Sequence, residues 1–226
     1  VDTDKGSYVG KSIIIGTGAR RKKLGVPGEE EFDGKGVVYC STCDAPLFRG
    51  KTVVVVGAGN SALEGIVDLF AYAEKIYLMV RSDTMRGDAV TREAVKKSDK
   101  VDIIYNAEII EILCDEVVTG VRYRDNKAHV ERELMLDGVF IEIGSVPNSG
   151  VVKGVVDMDK FGQILIDSKH GTTSHPGIFA AGDVTDDPYK QNNISAGDAV
   201  KATLAAYAYL LKRDATSPMA DRSSNV

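Results

Sequence analysis

The feature that most constrains the fold is a buried strand followed at once by a glycine-rich turn and a helix. Thr52–Val56 is a five-residue, valine-rich run typical of parallel strands buried on both faces. The next six residues, GAGNSA, match G-x-G-x-x-A, and helical apolar spacing continues to Ala73. In this pattern Gly57 allows the tight turn, Gly59 lets a diphosphate approach the backbone, and Ala62 lets the helix pack on the strand. The sequence predicts an α/β fold with a dinucleotide site; a tight turn without a ligand is the alternative.

The loop after the next strand indicates which dinucleotide is bound. Lys75–Val80 is predicted to be a strand that ends beside the adenosine ribose, where an NAD-specific site has an acidic residue. Arg81, Ser82 and Arg86 stand there instead. Because cations suit a 2′-phosphate, the sequence favours NADPH, with a solvated basic loop as the alternative. The predicted nucleotide-binding residues are Gly57, Gly59, Asn60, Ser61, Ala62, Arg81, Ser82 and Arg86.

A Cys-x-x-Cys pair precedes the valine-rich strand. Cys40 and Cys43 are followed directly by Asp44. Zinc is disfavoured, because Cys114 is the only other cysteine and a four-sulfur site cannot form. A structural disulfide is also disfavoured, because a bond between cysteines so close in sequence restrains the unfolded chain very little. We interpret the pair as a redox-active dithiol, with no metal.

Composition limits the classes of partner. The chain has 226 residues, 43% of them hydrophobic, which suits one large or two modest globular domains. A net charge of −5 with mixed signs argues against nucleic acid or an anionic membrane as the main partner. No apolar run is long enough to span a bilayer, and the N-terminus has no signal pattern. We expect a soluble, cytoplasmic protein.

Two segments rich in proline and glycine are candidate domain boundaries, Gly25–Gly28 and Gly144–Asn148. Between them the sequence predicts a helix from Asp88 to Lys97, capped by Asp88. Five β-type segments follow, which we interpret as antiparallel hairpins appended to the parallel sheet. They are Val101–Tyr105, Glu108–Leu113, Val117–Tyr123, Ala128–Leu134 and Gly138–Ile143.

The remaining expectations concern single residues and the C-terminal part. Glu29–Phe32 is expected to be solvated, Cys114 to be a packing residue, and His129 and His170 to be surface residues. A strand ending near Ala181 delivers Gly182 and Asp183 to its carboxyl end, where open α/β sheets bind ligands. A helix is predicted from Ser195 to Leu211.

Six motifs occur in the order and spacing of the low-molecular-weight thioredoxin reductases, which the chain resembles over about residues 11–211. They are GTGA (16–19), CSTCD (40–44), GAGNSA (57–62), IGSVPN (143–148), GIFAAGD (177–183) and KQNNISAG (190–197). The chain is also similar to the flavoprotein subunit of alkyl hydroperoxide reductase, which shares this module.

The resemblance implies two Rossmann-like nucleotide-binding domains of the three-layer ββα type, with the FAD domain incomplete at its N-terminus. Residues 1–20 and 144–212 belong to the FAD domain, residues 21–143 form the NADPH domain with the dithiol, and residues 213–226 form a disordered tail. A homodimer is implied as well. The implied FAD-binding residues are Thr17, Gly18, Gly182, Asp183, Lys190, Gln191 and Asn192.

The resemblance also implies the reaction. NADPH reduces FAD, FAD reduces the disulfide, and the dithiol reduces thioredoxin. By position, Cys43 is the thiol facing the flavin, Cys40 is the interchange thiol, and Asp44 is the acid or base. Two alternatives stay open: a flavoprotein reductase of a peroxiredoxin or other thiol partner, and a flavin-less NADP(H)-binding fragment without activity.

Three departures from the family pattern qualify these expectations. The N-terminal G-x-G-x-x-G unit for FAD is absent, so we expect a truncated chain that binds flavin weakly or not at all. In the 2′-phosphate loop, Arg81 and Arg86 remain from three family arginines, so NADH stays an alternative to NADPH. Lys190 and Asn192 replace the usual arginine and alanine beside the flavin.

Overall fold

The computed structural model describes residues 1–216 and divides the chain into two compact units. One unit is the continuous stretch Arg21–Gly144. The other combines Val1–Arg20 with the chain from Ser145 onward. We call them the central unit and the split unit.

Secondary structure alternates between short strands and a few helices. The strands are β1 (Asp2–Thr3), β2 (Gly6–Ser7), β3 (Ile13–Ile15), β4 (Ala19–Arg21), β5 (Val37–Val38), β6 (Thr52–Val56), β7 (Lys75–Val80), β8 (Val101–Tyr105), β9 (Ala107–Cys114), β10 (Val118–Asp125), β11 (Val130–Met135), β12 (Gly138–Ile141), β13 (Ser145–Pro147) and β14 (Ile178–Ala180). The α-helices are α1 (Ser41–Asp44), α2 (Asn60–Leu69), α3 (Ala89–Lys97) and α4 (Asn192–Thr216). Short 3₁₀ turns cover Ala45–Phe48, Gly150–Val152 and Gly182–Val184.

A parallel sheet in the order β5-β12-β6-β7-β8 forms the middle of the central unit. The central strand β6 has four consecutive valines, and both of its faces are covered. Val53 and Val55 pack toward α2, whereas Val54 and Val56 pack toward the antiparallel strands. Successive side chains of a strand point to opposite faces, so a continuous apolar run is what this position requires. The predicted α/β fold with a parallel sheet is confirmed.

The other face of the parallel sheet is covered by an antiparallel sheet in the order β11-β10-β9. Helices, parallel sheet and antiparallel sheet thus form three layers in this unit. Asp125 shapes the turn between β10 and β11, because its carboxylate accepts hydrogen bonds from the Lys127 and Ala128 amides at 3.0 and 2.9 Å.

The prediction that all five β-type segments form antiparallel hairpins was wrong for the first and the last. Strands β8 and β12 belong to the parallel sheet, where β8 pairs with β7 and β12 pairs with both β5 and β6. All four residues of β12 are buried, as a strand covered on both faces must be. Only β9, β10 and β11 form the antiparallel sheet.

The split unit is built around two parallel strands, β3 and β14, with α4 packed beside them. Ile15, Ile164, Ile178 and Val184 belong to one small core, and Phe179 packs with Ala202 and Ala206 of α4 in another. Strands β1 and β2 form a separate hairpin, and β4 pairs with β13.

Helix α4 is longer than predicted. It begins at Asn192 rather than Ser195 and continues to Thr216, so the first residues of the expected disordered tail, 213–216, are helical. Residues 217–226 of that tail lie outside the described residues. Across residues 1–216, no helix combines the length and the apolar character needed to cross a membrane.

Two single-residue expectations were wrong, and His129 and His170 are exposed as predicted. Glu29 is 1% exposed, because its carboxylate accepts hydrogen bonds from the Leu24 and Gly25 amides at 2.9 and 2.6 Å. The turn at Gly25 leaves these amides without other partners, and a buried carboxylate satisfies them. Cys114 is exposed rather than packed, because it lies at the end of β9.

Candidate active site

The turn after β6 has the geometry of a diphosphate-binding loop. Gly57 has φ +152°, and a Cβ there would lie 2.4 Å from the carbonyl oxygen of Glu142 and 2.8 Å from Cβ of Ala62. Gly59 is the N-cap residue of α2, makes no side-chain cap, and has open space where its own Cβ would be. The first amides of α2 therefore have no side-chain cap, as an anion-binding helix N-terminus requires.

The loop that carries the predicted 2′-phosphate residues is attached to this turn. The Arg86 amide donates to the Ala58 carbonyl at 2.7 Å, and the Asn60 side chain accepts from the Asp88 amide at 2.8 Å. The Ser82 hydroxyl donates to the Thr84 carbonyl at 2.9 Å, which stabilises the loop itself. Arg81 is exposed, as are Ser82 and Arg86.

An open cleft of about 940 Å³ lies over the carboxyl ends of the parallel strands. It brings together all the predicted nucleotide-binding residues except Ala62, which is fully buried beneath the turn. The cleft is lined by Lys22, Lys23, Leu24, Val56, Gly57, Ala58, Gly59, Asn60, Ser61, Met79, Arg81, Ser82, Thr84, Arg86, Ala107, Glu108, Ile109, Glu142, Ile143 and Gly144. Uncapped amides, cations and a glycine cradle fit an anionic dinucleotide.

Cys40 and Cys43 form a disulfide at the N-terminus of α1. Cys40 is the N-cap residue and is half-buried, whereas Cys43 is exposed. Cys40 Sγ also accepts a hydrogen bond from the Cys43 amide at 3.2 Å. The two sulfurs therefore sit on a short helix of the central unit, the same unit that contains the cleft.

Two carboxylates hold α1 in place. Asp68 of α2 accepts hydrogen bonds from the Ser41 and Thr42 hydroxyls at 3.2 and 2.9 Å. Glu142 accepts from the Ser41 amide at 3.2 Å. Gly65 makes this close approach possible, because a Cβ there would lie 3.0 Å from the Ser41 hydroxyl oxygen.

Asp44 is half-buried directly after the disulfide. Burial raises the pKa of its carboxyl group above the ordinary value, because a buried carboxylate loses hydration. A carboxyl group that keeps its proton to higher pH is suited to donating it beside a sulfur pair.

Sequence reasoning missed Glu142, which is 8% exposed. The pKa of its carboxyl group is raised to about 7, first by burial and then by the nearby Asp68 and Glu64, against the Ser41 amide and Arg21, which lower it. One signal was available in the sequence: a charged residue interrupts the apolar run of β12 at the carboxyl end of the strand, where α/β sheets bind ligands.

The predicted flavin residues all lie in the split unit. Because Ile15 of β3 pairs with Ala180 of β14 in parallel register, the turns after both strands emerge at the same edge. Thr17 and Gly18 follow β3, and Gly182 and Asp183 follow β14. The structure therefore brings these two pairs to one edge.

Several contacts stabilise that edge. The Thr17 hydroxyl donates to the Asn148 carbonyl at 2.7 Å, and the Asn148 side chain donates to the Thr17 carbonyl at 2.9 Å. Asp183 accepts from the Ser195 hydroxyl of α4 at 3.1 Å. Gly182 has φ +74°, and a Cβ there would lie 3.0 Å from the same hydroxyl oxygen. These turns fit part of a flavin site.

Three further predicted flavin residues lie around the start of α4: Lys190 and Gln191 directly precede the helix, and Asn192 is its first residue. Lys190 Nζ donates to the Thr185 carbonyl at 2.6 Å, and burial lowers the pKa of its ammonium group although Asp183 opposes that shift. Gln191 and Asn192 are exposed.

No group of three His, Cys, Asp or Glu side chains in the described part of the chain is arranged to hold a metal ion.

A cleft that fits an anionic dinucleotide and a disulfide on the same α/β unit are the features of one class of protein: redox proteins that link pyridine nucleotides to disulfides. The comparisons assign the family. The family described as "Pyridine nucleotide-disulphide oxidoreductase" matches residues 1–206, and the chain belongs to it.

Relatives in this family carry different names. The chain is 43% identical over 210 residues to a subunit of the alkyl hydroperoxide reductase of Pseudomonas putida, covering 92% of this chain and 40% of that protein. It is 42% identical over 202 residues to a protein named NADH dehydrogenase of Bacillus subtilis, covering 89% and 40%. The chain thus spans less than half the length of these curated relatives.

Solved structures resemble the fold closely. Thioredoxin reductase from Streptococcus pyogenes matches with a TM-score of 0.86 and 37% identity, covering 93% of this chain and 69% of that one. Thioredoxin reductase from Giardia duodenalis matches with a TM-score of 0.83 and 36% identity, covering 88% and 66%. The expected resemblance to thioredoxin reductases is confirmed.

Proposed function

We propose that the chain is part of a thioredoxin-disulfide reductase in which electrons pass from NADPH through FAD to the Cys40–Cys43 disulfide and then to a thioredoxin-like protein. One observation carries the proposal: the disulfide helix is hydrogen-bonded through Ser41 to Glu142, which also lines the dinucleotide cleft. This contact supports the proposal because it joins the disulfide to a cleft that fits a pyridine nucleotide, within one unit.

The chain's own residues have distinct roles in holding the two cofactors. In the central unit, Gly57, Gly59, Asn60 and Ser61 would hold the diphosphate of NADPH, Ala62 would pack the helix beneath it, and Arg81, Ser82 and Arg86 would bind the 2′-phosphate. In the split unit, FAD would contact Thr17, Gly18, Gly182, Asp183, Lys190, Gln191 and Asn192. When bound, FAD supplies the step that converts hydride transfer into reduction of a disulfide.

Thiol–disulfide exchange then follows from the cysteine pair. Two electrons and one proton open the Cys40–Cys43 bond and leave one thiol and one thiolate. The Cys40 thiolate attacks a partner disulfide, forms a mixed disulfide and expels the second partner sulfur as a thiolate. Cys43 then attacks Cys40 Sγ, which restores the internal disulfide and releases the reduced partner.

Asp44 is the proton carrier in this scheme. Its half-buried carboxyl group keeps a proton to higher pH than an ordinary aspartate, and it lies next to Cys43 in the chain. It would donate a proton to the departing thiolate of the partner and recover one from the Cys43 thiol when Cys43 attacks Cys40 Sγ and the internal disulfide forms again.

A second candidate partner is a peroxiredoxin. Relatives named as a subunit of alkyl hydroperoxide reductase, 40–43% identical to this chain, favour it. Relatives named NADH dehydrogenase, together with the loss of one expected arginine at Ser82, favour NADH as the second candidate donor. A third candidate is a nucleotide-binding fragment without electron transfer.

A reconstitution assay separates these candidates. The purified chain is mixed with FAD, its visible spectrum is recorded, and NADPH or NADH oxidation is followed with either a thioredoxin or a two-cysteine peroxiredoxin as acceptor. Thiols released from thioredoxin with NADPH support the proposal, and release from the peroxiredoxin alone supports the second candidate. Nucleotide binding without thiol release, by a chain whose spectrum shows bound flavin, contradicts both and supports the third candidate.

Location and assembly belong to the same proposal. A cytoplasmic site suits a protein that reduces disulfides, because the cytosol keeps thiols reduced. A homodimer is proposed from the family resemblance, and sedimentation of the flavin-loaded chain tests it.

A further inference from the structure

Glu142 connects the nucleotide turn to the disulfide helix. Its amide donates to the Val56 carbonyl at 2.9 Å, and its own carbonyl oxygen occupies the space where Gly57 would carry a Cβ. Its side chain lines the cleft and accepts a hydrogen bond from the Ser41 amide at 3.2 Å. The backbone of this residue therefore contacts the nucleotide turn, while its carboxylate contacts the residue that follows Cys40.

Charges around the carboxyl group are predominantly negative on the side of α2. Asp68 and Glu64 of α2 face it, Ser41 of α1 offers one amide, and Arg21 of β4 is the nearby cation. The cleft itself carries Lys22, Lys23, Arg81, Arg86 and Glu108. Burial, supported by Asp68 and Glu64 and opposed by the Ser41 amide and Arg21, places the pKa of Glu142 at about 7, so the group changes charge near neutral pH.

We propose that binding of an anionic dinucleotide in this cleft drives a proton onto Glu142 and so weakens its hold on the disulfide helix. The inference rests on the proposed function, because it takes the cleft as the nucleotide site. A diphosphate adds negative charge beside a carboxylate that already faces two others, and nearby like charge favours the protonated form. Solvent supplies the proton.

The effect on the disulfide helix follows from the hydrogen bond to Ser41. A charged carboxylate accepts an amide hydrogen bond more strongly than a neutral carboxyl group does. Protonation of Glu142 therefore weakens one of the contacts that hold α1, while the Asp68 contacts remain. Glu142 thus acts as a positioning residue for the Cys40–Cys43 helix.

The direction of proton exchange on binding distinguishes Glu142 from the nucleotide's own phosphate. Below a pH of about 5, Glu142 is protonated before binding, so its proton uptake vanishes; just above neutrality, uptake is greatest. The 2′-phosphate of NADPH titrates at a pH of about 6 and releases a proton when it binds arginines. The two contributions therefore have opposite signs.

Calorimetry of NADPH binding to the 226-residue chain tests the proposal. The titration is run near pH 7.5 in two buffers of different ionisation enthalpy, which gives the number of protons bound. We expect uptake of about half a proton for the wild type. Glu142→Gln, which keeps an acceptor for Ser41, should lose that uptake, and Glu116→Gln, an exposed carboxylate of the same unit, should keep it.

The amide resonance of Ser41 gives a second readout. In the oxidised chain it should titrate with a midpoint near neutral pH, move to a higher midpoint with NADPH, and lose the titration in Glu142→Gln. If Glu142→Gln does not fold, the wild-type resonance and the loss of uptake at acidic pH still decide the question.

The possible failures are distinct. Binding of NADPH without proton uptake, or with equal uptake in the wild type and Glu142→Gln, overturns this inference and leaves the proposed function intact. No binding of NADPH or NADH removes the nucleotide site and, with it, both proposals.

Discussion

The two sulfurs of the Cys40–Cys43 disulfide have different surroundings. Cys40 is the half-buried N-cap residue of α1, and Cys43 is exposed. In the proposed mechanism Cys40 attacks the partner and Cys43 resolves the mixed disulfide.

Substitution of each cysteine tests these roles. We expect Cys43→Ser, once reduced, to accumulate a stable mixed disulfide with the partner, because the resolving thiolate is gone. Cys40→Ser should accumulate none. Non-reducing electrophoresis with mass mapping measures the adduct, and an adduct formed only by Cys40→Ser would exchange the two roles.

Glu142 should also make stability depend on pH. Its folded-state pKa, about 7, lies above the value of 4.5 for an unperturbed glutamate, so the folded state binds the proton more tightly than the unfolded state. At pH values below the unfolded-state pKa, Glu142 is protonated in both states and its burial does not lower the free energy of unfolding. As the pH rises from there to about 7, the free energy of unfolding falls by at most about 3 kcal/mol.

Glu142→Gln should remove this loss. We expect the variant to unfold at a higher urea concentration than the wild type at pH 8 and at nearly the same concentration at pH 4.5, as long as both fold there. Glu116→Gln is the matched control. Equal differences at both pH values would show that Glu142 has an ordinary pKa.

At the scale of elements, glycines serve two separate purposes in the central unit. Gly59 has open space where a Cβ would be, whereas a Cβ at Gly138 of β12 would lie 2.1 Å from the ring of Phe48. Phe48 ends the segment that follows the disulfide and packs edge-on against Phe140, with ring centroids 4.8 Å apart.

Alanine substitutions separate the two purposes. Gly59→Ala should cost at most about 1 kcal/mol of stability, at the helix N-cap, yet weaken NADPH binding more than about tenfold because the methyl group occupies the diphosphate position. Gly138→Ala should cost about 1–3 kcal/mol through overpacking and affect NADPH affinity much less. Urea unfolding measures the stability of both variants, and calorimetric titration measures their NADPH affinity. Equal NADPH affinity in Gly59→Ala and the wild type would argue against the proposed diphosphate site.

Sequence patterns were sufficient to predict some of these elements but not others. The run TVVVV and the turn GAGNSA predicted β6, the glycine turn and α2, because each depends on residues adjacent in the chain. Strands β8 and β12 look like hairpin strands in sequence, because a short apolar strand does not reveal whether its neighbour runs parallel or antiparallel.

At the scale of the whole molecule, each compact unit should respond to a different cofactor. The cleft proposed to bind the nucleotide lies in the central unit, and the proposed flavin residues lie in the split unit. A ligand stabilises the unit that binds it, by about 2.7 kcal/mol at a hundred times its dissociation constant.

Differential scanning calorimetry tests this separation. We expect two unfolding transitions, of which saturating NADPH raises one and FAD raises the other. A single transition that both ligands raise together would show that the units unfold as one cooperative body.

The sequence by itself determined the chemistry of adjacent residues: a Cys-x-x-Cys pair, a G-x-G-x-x-A turn, and a basic loop after the next strand. Only the tertiary structure decided what surrounds them. Glu142 meets Ser41 across 101 residues of sequence. Glu29 becomes a buried cap for Leu24 and Gly25. The physical reason is that burial and hydrogen bonding to distant segments depend on how strands pair, whereas turns and cysteine spacing are properties of neighbouring residues.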